Sequence, residues 1–389
     1  MRTQAKWRCR SRRQSTISLK QSIGGFTIIE LMIGLAVGLL VTLAVAAALI
    51  TSEEQKRSTT LGMDSQVRGV VGLAILRSEI SEAGYGIAPV PDILGCALSA
   101  KYNGSSISGF ATALNPAAIS VGPSDAPDSI RVISSAKKTY AVPMLMTKPY
   151  DPNDQKFSVQ ASVGVMGPAA PTYAGDLIVV AKSGSGAACE LFMSNQAPDI
   201  GIVYRADDAK GWNSPGFPES HYEAGGVLIN MGEFHDVTFS VDANKNLVST
   251  EFKLDASGKP SISAPTILLS NIVGFKAVYG KDNDLDGSVD VWDNQAPATS
   301  ADWQKIIAIR IAMVARSAQY EKEDVTSSNP LWDLGSSIDV TPGHPANSPC
   351  GAGGKCVMLK IDDLPNWRRY RYKVFDTVIP LHNMLWRPV

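Results

Sequence analysis

The densest chemistry in the sequence lies between Lys281 and Asp293. Counted from Asp282, the carboxylates Asp282, Asp284, Asp286, Asp290 and Asp293 fall at loop positions 1, 3, 5, 9 and 12, with Gly287 at 6 and apolar Val289 at 8. Hard oxygen ligands at alternate positions can wrap one Ca²⁺, a glycine at the sixth permits the sharp turn, and the Ser288 carbonyl can add an oxygen. Five carboxylates this close repel one another unless a cation lies among them. Two departures stand against a full Ca²⁺ loop: position 12 is Asp293 rather than the longer glutamate, and the flanks read as strands rather than helices. A solvated acidic hairpin is the competing reading.

A second candidate is a single carboxylate. From Phe26 to Ile50 the chain is apolar and Glu30 is its one charge. The uncharged residues from Leu31 to Ile50 would span about 30 Å as a helix, the thickness of a bilayer's hydrocarbon. Seven basic residues and no acid precede Phe26, which orients that end toward the cytoplasm. A secretory signal peptide has a shorter apolar core followed by small residues, whereas here Gly24-Gly25 come before the run. A plain anchor explains length and charge but not Glu30, since an intramembrane carboxylate costs free energy and normally has a partner or reaches up to the head groups. Gly34, Gly38, Thr42 and Ala46, spaced by four, form a small-residue stripe. That stripe suits close helix packing in lipid, although such residues are common in membrane helices anyway.

These residues need elements to hold them. Beyond Ile50, Leu61, Val67, Val70, Val71, Ala74 and Ile75 recur at helical spacing, with Met63 and Ile80 near the ends. The pattern predicts that one helix runs from Phe26 to Ala83 and lays this stripe on a globular head. Gly62, Gly69 and Gly72 weaken that helix by about 1 kcal/mol each relative to Ala, and Gly84 or Gly86 should end it. From Ala88 onward, short apolar runs between Gly, Pro, Ser and Asn predict strands: 129–134, 176–181, 237–241 paired with 247–254, 267–269, 274–279, 306–314, 356–361 and 372–379. In the 306–314 strand Ile307, Ile309, Ile311 and Met313 define a core face. The fold class is therefore α+β: a long N-terminal helix, with a membrane span at about 28–50 and an amphipathic stem at 51–83, packed on a β-rich antiparallel head at 84–389. The loop-rich stretch 95–171 is a candidate inserted lobe.

With 389 residues, 44% hydrophobic and 19% charged, the chain is neither disordered nor fibrous. Its net charge of −1 conceals a basic leader ahead of 29 basic and 37 acidic residues, a body of −8. No general basic surface for nucleic acid is predicted. A Gly-x-Ser-x-Gly elbow, a phosphate loop and a His-Glu-x-x-His helix are all missing from the sequence, so no enzyme is expected.

The string Gly25-Phe26-Thr27-Ile28-Ile29-Glu30 closely resembles the processing site of type IV prepilins. The segment from Glu79 to Ile87, the Tyr279-Gly280 and Asp-rich turn with its Trp292, the Ile306–Ile311 strand and the tail Thr377–Trp386 resemble minor pilins of the PilW type. The resemblance implies that a prepilin peptidase and methylase removes 1–25 after Gly25 and methylates Phe26. It also implies that Glu30 neutralises the terminal amine of a neighbouring subunit. The protein would sit in the inner membrane with a periplasmic head, then join the fibre or its tip with other minor pilins and the major pilin, priming or capping it. A minor pseudopilin of a type II secretion system shares the leader and stem, and a tip-exposed adhesin is a further alternative. With Cys9 discarded in the leader, Cys96, Cys189, Cys350 and Cys356 remain, an even number for an oxidising compartment. Pairing Cys350 with Cys356 and Cys96 with Cys189 is the most economical of the three possibilities. Free thiols are the alternative, and the spacings do not suit zinc.

Overall fold

The computed structural model describes residues 25–385 apart from 138–140, 170–173, 183–187, 209–210, 336–337, 340–347 and 351–353. The basic leader up to Gly24 lies outside the described residues. The chain divides into two compact units, Met1–Arg57 and Ser58–Val389, and one uninterrupted helix, α1 (Ile28–Ser81), belongs to both.

In the first unit α1 is apolar from Leu31 to Ile50. Leu31, Leu35, Leu39, Leu43 and Leu49 are all more than half exposed, and Ile28–Glu53 is long and apolar enough to cross a membrane. The Thr42 and Thr51 hydroxyls donate to the carbonyls of Leu39 and Ala47 within the helix, so neither needs water.

In the second unit the face that α1 buries matches the predicted one only in part: Ile80 is buried as expected and Ile75 is half-buried, but the rest of the stripe, among the described residues, is not. Ser65, Gly69, Gly72, Leu76 and Ile80 are buried, whereas Val67, Val70, Val71 and Ala74 are exposed. The glycines explain the difference. A Cβ on Gly69 would lie 2.1 Å from the Phe375 ring, and one on Gly72 would lie 2.7 Å from both Leu269 and Met313. Without side chains, the helix backbone comes close enough to the sheet for Leu76 and Ile80 to reach the core. The helix runs through Gly62, Gly69 and Gly72 without local unwinding, and at the last two close packing works against their poor propensity. Gly84 and Gly86, with φ of +78° and +84°, end the helix as predicted.

Three sheets surround this helix end. The first has strand order 105–106, 98–102, 189–193, 177–181, 227–232, 144–145, and its 98–102/189–193 pair is parallel. The second runs 260–262, 246–254, 235–241, 129–134, 117–120, with 266–270 also on the 246–254 strand. The third runs 338–339, 291–293, 272–281, 306–316, 372–380. The candidate lobe 95–171 places strands in the first and second sheets, where 98–102, 144–145 and 129–134 pair with strands from beyond residue 171.

The main core joins Leu76 and Ile80 to one face of each sheet, and the strands show period-two burial on both sides. Leu177 and Val179 face this core, whereas Ile178 and Val180 face a second core with Tyr150, Phe157 and Phe192. Ile309, Ile311 and Met313 likewise face the main core, but Ala312 and Val314 pack on Trp332 and Val357. Ile307 does not follow the predicted face. A bulge opposite Lys281, which pairs with Ile306 while Gly280 pairs with Ala308, puts Ile306 into the main core instead. Cys96 is disulfide-bonded to Cys189, tying the approach to the 98–102 strand onto its parallel neighbour. Cys356 is also disulfide-bonded; the side chain of its expected partner, Cys350, lies outside the described residues.

Candidate functional site

At the start of α1, Thr27 precedes the first helical residue and its Oγ1 accepts from the Glu30 backbone N–H at 3.2 Å. Thr27-Ile28-Ile29-Glu30 therefore has the sequence of a capping box. Glu30 stands in the first helical turn, where the positive end of the helix dipole favours a carboxylate. This local role was legible in the Thr-x-x-Glu spacing, yet sequence reasoning passed over it for the membrane question. Gly25 and Phe26 lie just outside the helix. Phe26 is 81% exposed, and a Cβ on Gly25 would meet no atom within 4 Å. The sequence-predicted processing bond thus lies in accessible chain ahead of the helix.

The acidic segment is a hairpin loop of the third sheet. Strands Ile272–Lys281 and Val291–Asp293 pair antiparallel, with Tyr279 opposite Asp293 and Lys281 opposite Val291. Gly280 makes room for this hairpin, since a Cβ there would stand 2.7 Å from the Trp292 ring. The Tyr279 hydroxyl accepts from the Ile119 N–H at 2.6 Å, which ties the edge strand 117–120 of the second sheet to the third.

Within the loop the carboxylates organise backbone amides. Buried Asp282 accepts from the N–H groups of Asp286 at 3.1 Å and Gly287 at 2.9 Å. Gly287 has a φ of +90°, the conformation the sixth position needs. Asp286 accepts from Ser288 N at 2.7 Å, and Asp290 accepts from Asn283 N at 2.7 Å. The result is a tight turn in which one oxygen each of Asp282, Asp284 and Asp290 come within 4.8 Å of one another. The electrostatic consequence appears at Asp284. The Asp286 N–H works to lower its pKa, but desolvation and the charges of Asp286, Asp290 and Asp282 outweigh it, so the pKa is raised above the ordinary carboxylate value.

Of the other carboxylates expected as ligands, neither Asp286 nor Asp293 joins that cluster. Asp286 is turned to the loop backbone, and Ser288 is exposed. Asp293 sits in the 291–293 strand, where it pairs with Lys281 and accepts from Gln295 N at 3.0 Å. The strand flanks cause this: a twelfth residue fixed opposite Tyr279 cannot fold back over the loop as the first residue of a helix could. Three carboxylates on a glycine-bearing turn can hold a hard divalent cation whose remaining positions are filled by carbonyls or water.

One functional contact escaped the sequence reading. The Asn383 side-chain amide donates to the carbonyls of Glu82 at 3.1 Å and Ala83 at 3.3 Å. These carbonyls lie just past the C-terminal end of α1, three hundred residues earlier in the chain, and the Glu82 carbonyl also accepts from the Tyr85 N–H at 3.2 Å. No local pattern announces such a long-range cap.

Residues 237–383 match the family model of Type IV Pilus-assembly protein W, PilW. The matched stretch is well under half of the chain. It holds most of the second sheet's later strands, the acidic hairpin, the Ile306–Arg316 strand and Asn383. No curated protein and no solved structure matches the chain.

Proposed function

We propose that this protein is a minor pilin of the PilW type that takes part in type IV pilus assembly, priming or capping the fibre with other minor pilins. The observation carrying this reading is the family match over 237–383, which is independent of the Gly25–Glu30 string at the other end of the chain. A pilus-assembly match at one end and a prepilin-like string at the other support one protein class, and they favour it over a secretion pseudopilin. The apolar run Ile28–Glu53 is the anchor in this reading, with the β-rich unit on the periplasmic side. Cleavage after Gly25 frees the Phe26 amine for methylation, and Glu30 supplies the counter-charge to a neighbouring subunit's amine during assembly. Amino-terminal sequencing of protein from cells that contain the peptidase tests this. The mature chain should begin at Phe26, and a start elsewhere would remove the prepilin reading while leaving the family match intact.

Asp282, Asp284 and Asp290 are proposed to hold a structural Ca²⁺ that neutralises their repulsion and fixes the hairpin. Ion binding would raise stability by about 2.7 kcal/mol at a hundredfold excess over the dissociation constant. Asp284→Asn should abolish the difference between melts in calcium and in chelator. In chelator alone it should be at least as stable as wild type, because it removes a repelled charge. Wild type melting at one temperature in both buffers would leave a solvated acidic hairpin.

A further inference from the structure

Glu79 and His235 face each other where the last turns of α1 meet the second sheet, with His235 Nε2 3.0 Å from Glu79 Oε2. His235 opens the His235–Val241 strand, and Glu79 lies between Leu76 and Ile80, which are buried in the main core. The pair is therefore the polar rim of the contact that seats the helix end. The charged groups around the imidazole come from three strands and the turn before them. Asp236 is taken up by Arg131, Glu251 pairs with Lys253 at 3.1 Å, and Glu233 lies in the preceding turn. A cavity of about 250 Å³ opens beside His235, lined also by Glu233, Phe234, Glu251, Phe252 and Lys253, so water and protons reach the ring directly.

We propose that Glu79 and His235 form a proton-operated latch that grips the end of α1 when the imidazole is charged and relaxes when it is neutral. The latch rests on the fold alone and is independent of the pilus reading. The surroundings favour the charged form. The Glu79 hydrogen bond raises His235 above its ordinary 6.5, partial burial opposes it, and the charges of Glu79, Glu251 and Asp236 add to the rise. The same bond lowers Glu79 below 4.5 against partial burial, with the charge of His235 assisting. Because the histidine is raised on folding, its contribution is complete below the unfolded value of about 6.5 and is lost as pH climbs through the folded value. Because the glutamate is lowered, its contribution is complete above about 4.5 and is lost as pH falls through its folded value. The latch is fully closed between these limits and opens on the alkaline side.

The test is amide hydrogen exchange of the full-length protein in detergent micelles at pH 5.5 and 8.5, corrected for intrinsic rates and read on peptides covering 73–83. Protection should be roughly threefold higher at the lower pH, the scale of a part-exposed ion pair. It should be equal at the two pH values in His235→Gln and in Glu79→Gln. Equal protection in wild type, or a pH difference that survives in both variants, overturns the latch. An NMR titration of the wild-type imidazole covers the case of a variant that does not fold. A pKa above 6.5 supports the latch, and one at or below 6.5 overturns it.

Discussion

Two stretches of α1 put the same residue type to opposite use. In Ile28–Glu53 the large apolar side chains are exposed, and a Cβ on Gly34 or Gly38 would meet nothing within 4 Å. In Ser65–Ser81 exposed valines flank a buried face in which Gly69 and Gly72 are the points of closest approach to Phe375, Met313 and Leu269. Hydrophobicity and burial are thus decoupled along one helix. Where the chain supplies its own partner surface, small residues set how near that surface comes. Where it supplies none among the described residues, the apolar side chains stay exposed.

The comparison breaks most visibly if core and lipid-type positions respond alike to truncation. Ile80→Ala removes a side chain with no exposed surface and should cost about 2–5 kcal/mol in denaturant unfolding of the protein in micelles. Leu35→Ala, at a residue 64% exposed, should leave that transition within experimental error. Equal losses would mean that exposure does not separate the two stretches energetically.

The glycines give a sharper and smaller contrast. Gly69→Ala gains about 1 kcal/mol of helix propensity but drives a methyl group into the buried Phe375 ring, and overpacking of that kind costs about 1–3 kcal/mol. The net effect should be destabilisation of about 1 kcal/mol. Gly72→Ala should cost less, because its neighbours are the flexible ends of Met313 and Leu269. Gly34→Ala should be neutral or slightly stabilising. Thermal melts of the three variants order them, and a stabilised Gly69→Ala would show that the helix does not lie as close to the sheet as described.

Much of this was legible in the sequence, and the misses share a cause. The helix limits, the turn at Gly84 and the strands 129–134 and 306–316 follow from local periodicity and turn chemistry, which act within a few residues. The buried face of the stem was misread because the hydrophobic stripe Val67, Val70, Val71, Ala74 is a local signal, while the true face depends on Phe375 and Met313, some three hundred and two hundred and forty positions away. Ile306 displaced Ile307 for the same reason, since a bulge belongs to a strand pair and not to a strand. At the acidic loop the spacing singled out Asp282, Asp284, Asp286, Ser288, Asp290 and Asp293, of which the fold gathers Asp282, Asp284 and Asp290. Asp293 was misplaced because a pattern drawn from a helix-flanked loop was laid on a hairpin.

Asn383 tests whether the end of α1 is held by its long-range cap as well as by burial. Asn383→Ala removes two hydrogen bonds to the carbonyls just past the helix end and should cost about 1 kcal/mol. The loss should appear first as faster amide exchange in residues 80–86, ahead of any global change. Unchanged exchange there would assign the end of the helix to Ile80 and Gly84 alone.

The smallest stability effect is expected at the opposite end of the helix, at Glu30. In Glu30→Ala a first-turn carboxylate is lost, worth about 0.3–1 kcal/mol to the local helix through the dipole. The Thr27 hydroxyl can still accept from the backbone N–H of residue 30, so fraying should be confined to the first turn. Membrane insertion should be unchanged or improved, because removing an intramembrane charge lowers the transfer cost. Both consequences are too small to change the amount of protein in the membrane fraction. Incorporation into sheared pili is a different measurement, since under the proposed function the variant lacks the counter-charge for a neighbouring amine. A large drop in pilus-associated protein at constant membrane level would place the role of Glu30 between subunits. An equal level in both fractions would reduce it to a first-turn carboxylate that the helix dipole already favours.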